Sequence, residues 1–282
     1  MDCRRRVLTP TERRRYNASE FRTMSDVQIH PTAIVDAKAE LGAGTIVGPY
    51  CVVGAEVSLG ENCWLQNHVT VSGPTHAGAR NKFFAYCSIG QQTQDLKYAG
   101  EPTYLEIGEE NTFREFCTVN RSTTAEGKTR VGNGGNFLAY SHIGHDCIVG
   151  DAVVFSNNGT LAGHVRIGDH AVMGGLTAVH QFCRIGNFAI TGGCSKIVQD
   201  VPPFMIADGN PAEIRGVNLI GLERNGFAPE KIKLIKEAFR LIYRCKYNTQ
   251  QGIEAVRKQL PASEEIAQIL EFIEKSERGI IR

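Results

Sequence analysis

The stretch AYSHIGHDC, residues 139–147, sets His142 and His145 three apart beside an acid, Asp146. Neutral imidazole can take a proton from a hydroxyl near pH 7, and it can equally ligate zinc. Spacing alone does not separate an acid–base pair from metal ligands or from two ordinary surface histidines. The elements that carry these residues have to be read first.

Bulky residues recur every six positions through most of the chain. They run from Ile29, Val35, Leu41 and Val47 through Phe83 and Ile89, resume at Ile107, Phe113 and Val119, and run unbroken from Val131 to Ile197. Gly commonly follows the key residue, as in VGPYCV and IGHDCI. Hexapeptide repeats of this kind predict a parallel β-helix, an all-β solenoid in which each unit gives a short strand and a turn. Side chains alternate along a strand, so the key residue and the one two before it both face inward. That second slot holds Cys51, Cys63, Cys87, Cys117, Cys147 and Cys183. Most of the nine cysteines are thus small core fillers, and with no C-x-x-C pair they suit a reducing, cytoplasmic setting.

The composition agrees: 42% hydrophobic residues, a net charge of +1 and 30 glycines fit a soluble protein of many short strands and turns. No apolar run approaches the roughly 18 residues that suggest a membrane span. Residues 1–23 stand apart, with seven arginines against three acids and no apolar signal core. They are expected to be a disordered, Arg-rich extension more than an RNA-binding arm, and no nucleic-acid partner is expected. Residues 24–202 are assigned to the β-helix, with polar excursions at 91–106 and 120–130. Loops on a rigid scaffold are where binding groups tend to lie.

Residues 18 apart should stack in one column of the prism, about 4.8 Å per coil. By that count His142, His145, His164 and His180 share one narrow edge, and none falls in an inward slot. Gly163 and Gln181 stand in the column of His145. A glycine lets a backbone N–H approach a reacting group, as an oxyanion hole requires. Histidine base plus amide donor is the minimum equipment for acyl transfer. Zinc remains open at this stage, although the histidines are spread over several coils and no carboxylate stands out as their dedicated partner.

Residues 203–282 form a connector, extended through residue 218, and a small helical domain. One helix is predicted from Pro229, burying Ile232, Ile235, Phe239 and Ile242, and another after Ser263, burying Ile266, Leu270 and Ile273. Lys236, Arg240 and Arg244 lie at i, i+4 and i+8, with Lys233 nearby. Such a stripe suits an acidic partner.

The segments QDLKYAGEPT (94–103), HIGHDC (142–147), LAGHV (161–165), HQFC (180–183), GGCS (192–195), QDVPP (199–203), GVN (216–218) and RGIIR (278–282) occur in one order. Together they resemble the cytoplasmic UDP-N-acetylglucosamine acyltransferases that begin lipid A synthesis in Gram-negative bacteria. The resemblance covers about residues 27–282. It implies a left-handed β-helix in a homotrimer, with active sites between subunits. It also implies transfer of a (3R)-3-hydroxyacyl chain from acyl carrier protein to the glucosamine 3-hydroxyl. His145 matches the family's general base and Gly163 its oxyanion donor. Asp95 and Lys97 match sugar-nucleotide contacts, and His142, His164, His180 and Gln181 match residues lining the sugar and acyl pocket. Asn218 and Arg224 match nucleotide or pantetheine-side contacts. Lys233, Lys236, Arg240 and Arg244 are the expected carrier-protein docking residues. No metal or separate cofactor is expected, since the acyl group rides on the carrier's phosphopantetheine.

Pro211, Asn225 and Lys196 depart from the family pattern, which puts details of nucleotide binding in question. Gly193 stands in the column through Gly175, where a missing side chain leaves room for acyl chain, but chain length is not readable from sequence. The alternatives are an acyltransferase acting on an amino sugar nucleotide, a zinc enzyme like the gamma-class carbonic anhydrases, and a non-catalytic scaffold.

Overall fold

The computed structural model describes residues 26–282; the Arg-rich extension lies outside the described residues. The chain winds as a left-handed parallel β-helix. Among the described residues its short strands stack into three sheets of 11, 9 and 8 strands, one per face of a triangular prism. Pairing follows the repeat: His142 aligns with Thr160 and then Ala178, one coil after another. Each face thus carries residues a full coil apart, as the 18-residue count requires.

Both inward slots are filled as the hexads demand. Cys51, Cys63, Cys87, Cys117, Cys147 and Cys183 are all buried, as are the key residues from Val47 onward. One internal column is aromatic, with Phe83, Phe113 and Phe137 stacked at 5.3 and 4.8 Å. Dispersion and apolar burial accumulate along it with no polar atom to satisfy. The first coil is less complete, and Ile29 is exposed, with no described residue stacked beneath it.

The corners matter for function. Many turn through a non-glycine residue in the left-handed region, including Asp146 (φ 60°), His164 (φ 61°) and Phe182 (φ 65°). Left-handed backbone is costly for a side-chain-bearing residue, and here the hydrogen-bonded stack over-determines it.

The excursions are shorter than the sequence suggests, because their ends are recruited into sheet. Tyr104–Ile107 and Lys128–Val131 pair with each other, leaving loops over residues 92–103 and 121–127. The connector likewise does not remain merely extended. Met205–Gly209 pairs with Ile190–Thr191 and folds back on Ala212–Val217 as an antiparallel hairpin. That hairpin continues one face of the prism beyond residue 202.

Four α-helices follow: α1 (Leu219–Arg224), α2 (Pro229–Phe239), α3 (Thr249–Gln259) and α4 (Glu264–Glu274). Pro229 opens α2 and Ser263 caps α4, both as the sequence indicates. The stretch Arg240–Arg244 is a π-helical turn, which buries Leu241 and Ile242 and leaves Phe239 only partly covered. No helix among the described residues is long and apolar enough to cross a membrane.

The tail is pinned to the prism at Asp200. Its carboxylate accepts from the Arg184 amide at 2.8 Å and the Ser276 hydroxyl at 2.7 Å, and the Ile281 amide donates to its carbonyl. Arg184 lays its guanidinium over the Phe272 ring and donates to the Lys275 carbonyl at the end of α4.

Candidate active site

Loop 92–103 hangs over the prism corner that carries the histidines, and together they enclose a cleft of about 540 Å³. Gln94, Asp95, Leu96 and Lys97 form its outer wall. Asn120, His142, Gly144, His145, Ala162, Gly163 and Gln181 form the prism side. Asp95, Lys97, His142, His145, Gly163 and Gln181, which the sequence singled out, therefore meet in one place.

His145 and Asp146 are the centre of it. His145 Nδ1 lies 2.8 Å from Asp146 Oδ2, with both side chains largely sheltered at 15% and 10% exposure. The sequence reading found no dedicated carboxylate partner for the histidines; that expectation is corrected here. Both residues lie in the turn that follows the strand His142–Ile143, and Asp146 stands 18 residues before His164, so the column count does place it on the same edge. At the corner, the left-handed turn at Asp146 brings its side chain to the same side as His145. Asp146 also accepts from the Ser122 hydroxyl through Oδ1 and from the Thr123 amide at 3.0 Å. Burial alone would raise its carboxyl, but donation from Ser122, His145 and Thr123 and the nearness of His164 outweigh it. The group is held below the ordinary carboxylate value and is ionised at neutral pH.

With Nδ1 on the carboxylate, His145 turns its other edge toward Gly163. A Cβ on Gly163 would fall inside van der Waals contact of Cε1 and Nε2 of that ring. Glycine is required at 163 because the imidazole occupies the side-chain space, a more specific reason than close approach in general. No acceptor among the described residues takes the Gly163 N–H.

His142 Nδ1 is 2.7 Å from the Thr118 hydroxyl. Burial, and secondarily the proximity of His145, pushes its imidazole below 6.5, so it is neutral at pH 7. The four-histidine edge is thus divided. His164 stands outside the lining, stacked on Phe182 at 4.6 Å and edge-on to His145 at 5.2 Å. His180 is exposed, its Nδ1 3.1 Å from the Gln181 carbonyl.

Gly193, Asn218 and Arg224 are not among the residues that line this cleft. Asn218 is buried and its side chain is engaged, accepting from the Gly221 amide to cap α1 and donating to the Phe188 carbonyl. At Gly193 an added Cβ would meet only the Gly175 carbonyl, at 3.5 Å, so the column is open there. The basic stripe is also corrected. Lys233 and Lys236 are exposed on α2, but the α-helix ends at Phe239. Arg240 pairs with Glu237 at 2.9 Å and Arg244 lies over the Phe239 ring, so two of the three residues in the i, i+4, i+8 row are already engaged.

His145, Asp146 and His164 are the one group among the described residues with donor atoms close enough to share a metal ion. The Asp146 oxygens and His145 Nδ1 are already engaged. Both carboxylate oxygens accept hydrogen bonds, and a metal there would displace the His145–Asp146 bond. The geometry suits an oriented base better than a zinc ligand set.

Comparison with known proteins fits this arrangement. Residues 200–281 match the family model described as UDP N-acetylglucosamine O-acyltransferase, domain 2. The acyl-[acyl-carrier-protein]–UDP-N-acetylglucosamine O-acyltransferase of Thermodesulfovibrio yellowstonii is 45% identical over 90% of this chain and 99% of its own length. The protein of the same name from Janthinobacterium sp. is 48% identical with the same coverage. The chain belongs to the UDP-N-acetylglucosamine O-acyltransferase family. Solved members superimpose over most of the chain. The Moraxella catarrhalis enzyme has a TM-score of 0.87 at 42% identity, covering 90% of this chain and 99% of that one. The Bacteroides fragilis enzyme reaches 0.89 at 36% identity, covering 90% and 100%. As a family member the chain is an acyltransferase, and the left-handed β-helix with a helical tail is the family's fold.

Proposed function

We propose that the chain transfers a (3R)-3-hydroxyacyl group from acyl carrier protein to the glucosamine 3-hydroxyl of UDP-N-acetylglucosamine, the first step of lipid A biosynthesis. The observation that carries the mechanism is the His145–Asp146 pair set against Gly163. Asp146 holds the Nδ1–H tautomer of His145, which leaves Nε2 to take the proton of the attacking hydroxyl. The sugar oxygen adds to the thioester carbonyl, and the Gly163 N–H donates to the oxyanion that forms. Collapse breaks the carbon–sulfur bond, and the imidazolium returns its proton to the departing pantetheine thiolate. Asp146 stabilises the imidazolium between these steps without itself becoming protonated.

Attack is direct, with no acyl-enzyme. Cys147, the thiol nearest the base in sequence, is an inward filler whose Sγ donates to the Ala162 carbonyl, and burial pushes it up to about 12. It has no thiolate to offer at neutral pH.

Asp95 and Lys97 contact the sugar nucleotide from the overhanging loop. His142, neutral and fixed by Thr118, and Gln181 orient the sugar from the prism. His164, His180 and Gly193 border the acyl chain. Asn218 and Arg224, outside the lining of this chain's own cleft, serve the nucleotide or pantetheine end at a neighbour's cleft in a homotrimer; Asn218 does so by shaping α1. Lys233, Lys236, Arg240 and Arg244 meet the acidic carrier protein in the cytoplasm, with the two lysines the freer cations. No cofactor enters beyond the carrier's own phosphopantetheine.

The reading is tested by incubating the protein with UDP-N-acetylglucosamine and a set of hydroxyacyl carrier proteins and weighing the products. The expected product is heavier by one hydroxyacyl group with no loss of the acetyl group. Acylation of an amino sugar nucleotide in its place, or turnover abolished by a zinc chelator, would contradict it.

A further inference from the structure

Loop 121–127 leaves the prism and closes over Asp146. Ser122 is fully buried at its start and donates to Asp146 Oδ1; its other acceptor, the Thr124 carbonyl, is far longer at 3.4 Å. The Thr124 amide donates back to the Ser122 hydroxyl at 3.2 Å, which fixes that oxygen in place. Where the loop rejoins the sheet, the buried Thr129 hydroxyl accepts from the Asp146 amide at 2.8 Å. Both ends of the excursion therefore grip one residue.

The grip decides between two imidazoles. Asp146 Oδ2 is 2.8 Å from His145 Nδ1 and 3.7 Å from His164 Nε2. A carboxylate free to turn about its last bond would share itself between them. With Oδ1 pinned by Ser122 and Oδ2 taking the Thr123 amide of the same loop at 3.0 Å, Oδ2 is directed at His145.

We infer that Ser122, together with Thr129, is a positioning residue for the reaction, holding the Asp146 carboxylate on His145 and away from His164. The inference rests on the reading of His145 as the base. It gives the second excursion a duty of its own: the first covers the substrate, and the second aligns the base's partner.

The test is Ser122→Ala in the full chain, assayed with UDP-N-acetylglucosamine and hydroxyacyl carrier protein across pH. The groups facing the pair, His142 and His164 from the prism and Asp95 and Lys97 from the overhanging loop, are left in place. The expected result is kcat lower by about tenfold, the usual scale for an outer partner of a functional imidazole, with KM for the sugar nucleotide unchanged. The acid limb of the kcat–pH profile should move to lower pH, because a carboxylate no longer held on Nδ1–H stabilises the imidazolium less. A parent-like kcat, or a lowered kcat with an unmoved limb, would overturn the inference. Thr129→Val, which keeps the buried shape and removes the hydroxyl, should give the same pattern and carries the test if Ser122→Ala does not fold. A His145→Ala protein that keeps its turnover would instead remove the underlying reading, whatever the Ser122 result.

Discussion

At the scale of single residues, the site is a matter of what a corner does to side-chain direction. Gly163 shows it most sharply. Its missing side chain is where the His145 imidazole lies, so Gly163→Ala would force the ring off its line between Asp146 and the cleft. The expected outcome is a loss of at least ~10²-fold in kcat, the scale of removing a general base or an oxyanion donor, with melting temperature nearly unchanged. Steady-state kinetics beside a thermal melt check this. The importance of Gly163 was legible in the sequence, because it stacks in the His145 column. Asp146 was not, although it adjoins His145 in the chain. The column count puts it on the edge, 18 residues before His164, but its bond to His145 depends on the left-handed turn at the corner, which no period reports. Ser122 was hidden for another reason: its partner is 24 residues away, and no period links a loop to a column.

At the scale of elements, what repeats was legible and what occurs once was not. The hexads located the prism and its inward cysteines because each slot is confirmed by many others. The connector hairpin escaped, since Pro211 and two glycines read as a break in pattern. Helix α1 is too short for periodicity, and α3 carries few apolar residues. The Asn248–Gln251 capping box was the signal that could have found α3. The π-helical turn at Arg240–Arg244 has no sequence signature at all, and neither do the contacts that engage Arg240 with Glu237 and Arg244 with the Phe239 ring. The Asp200 clamp gives this scale its own prediction. Burial raises the Asp200 carboxyl above its ordinary value of 3.8, so its ionisation weighs against the fold as pH rises through the raised value. An amide keeps one acceptor for the Arg184 amide and one donor for Ser276 without that charge. Asp200→Asn should therefore stay within about 1 kcal/mol of the parent at neutral pH, whereas Asp200→Ala should cost several, at roughly 1–3 kcal/mol per stranded partner. Urea titrations at two pH values would measure both. An Asn variant as unstable as the Ala variant would contradict the account.

At the scale of the molecule, the prism supplies rigidity and the departures from it supply chemistry. Backbone bonded coil to coil fixes His142, His145, Gly163 and Gln181 within one edge, and the first excursion roofs that edge with Asp95 and Lys97. What the cleft lining of a single chain leaves out, Asn218 and Arg224 among it, is what a homotrimer would have to bring in. The central claim is narrower than the assembly: proton abstraction by His145, directed by Asp146, drives acyl transfer. The most direct measurement is the single-turnover rate of His145→Ala with saturating UDP-N-acetylglucosamine and hydroxyacyl carrier protein. The account predicts a loss of at least ~10²-fold in a protein with the parent's melting temperature and oligomeric state. Retention of more than about a tenth of the parent rate would contradict it.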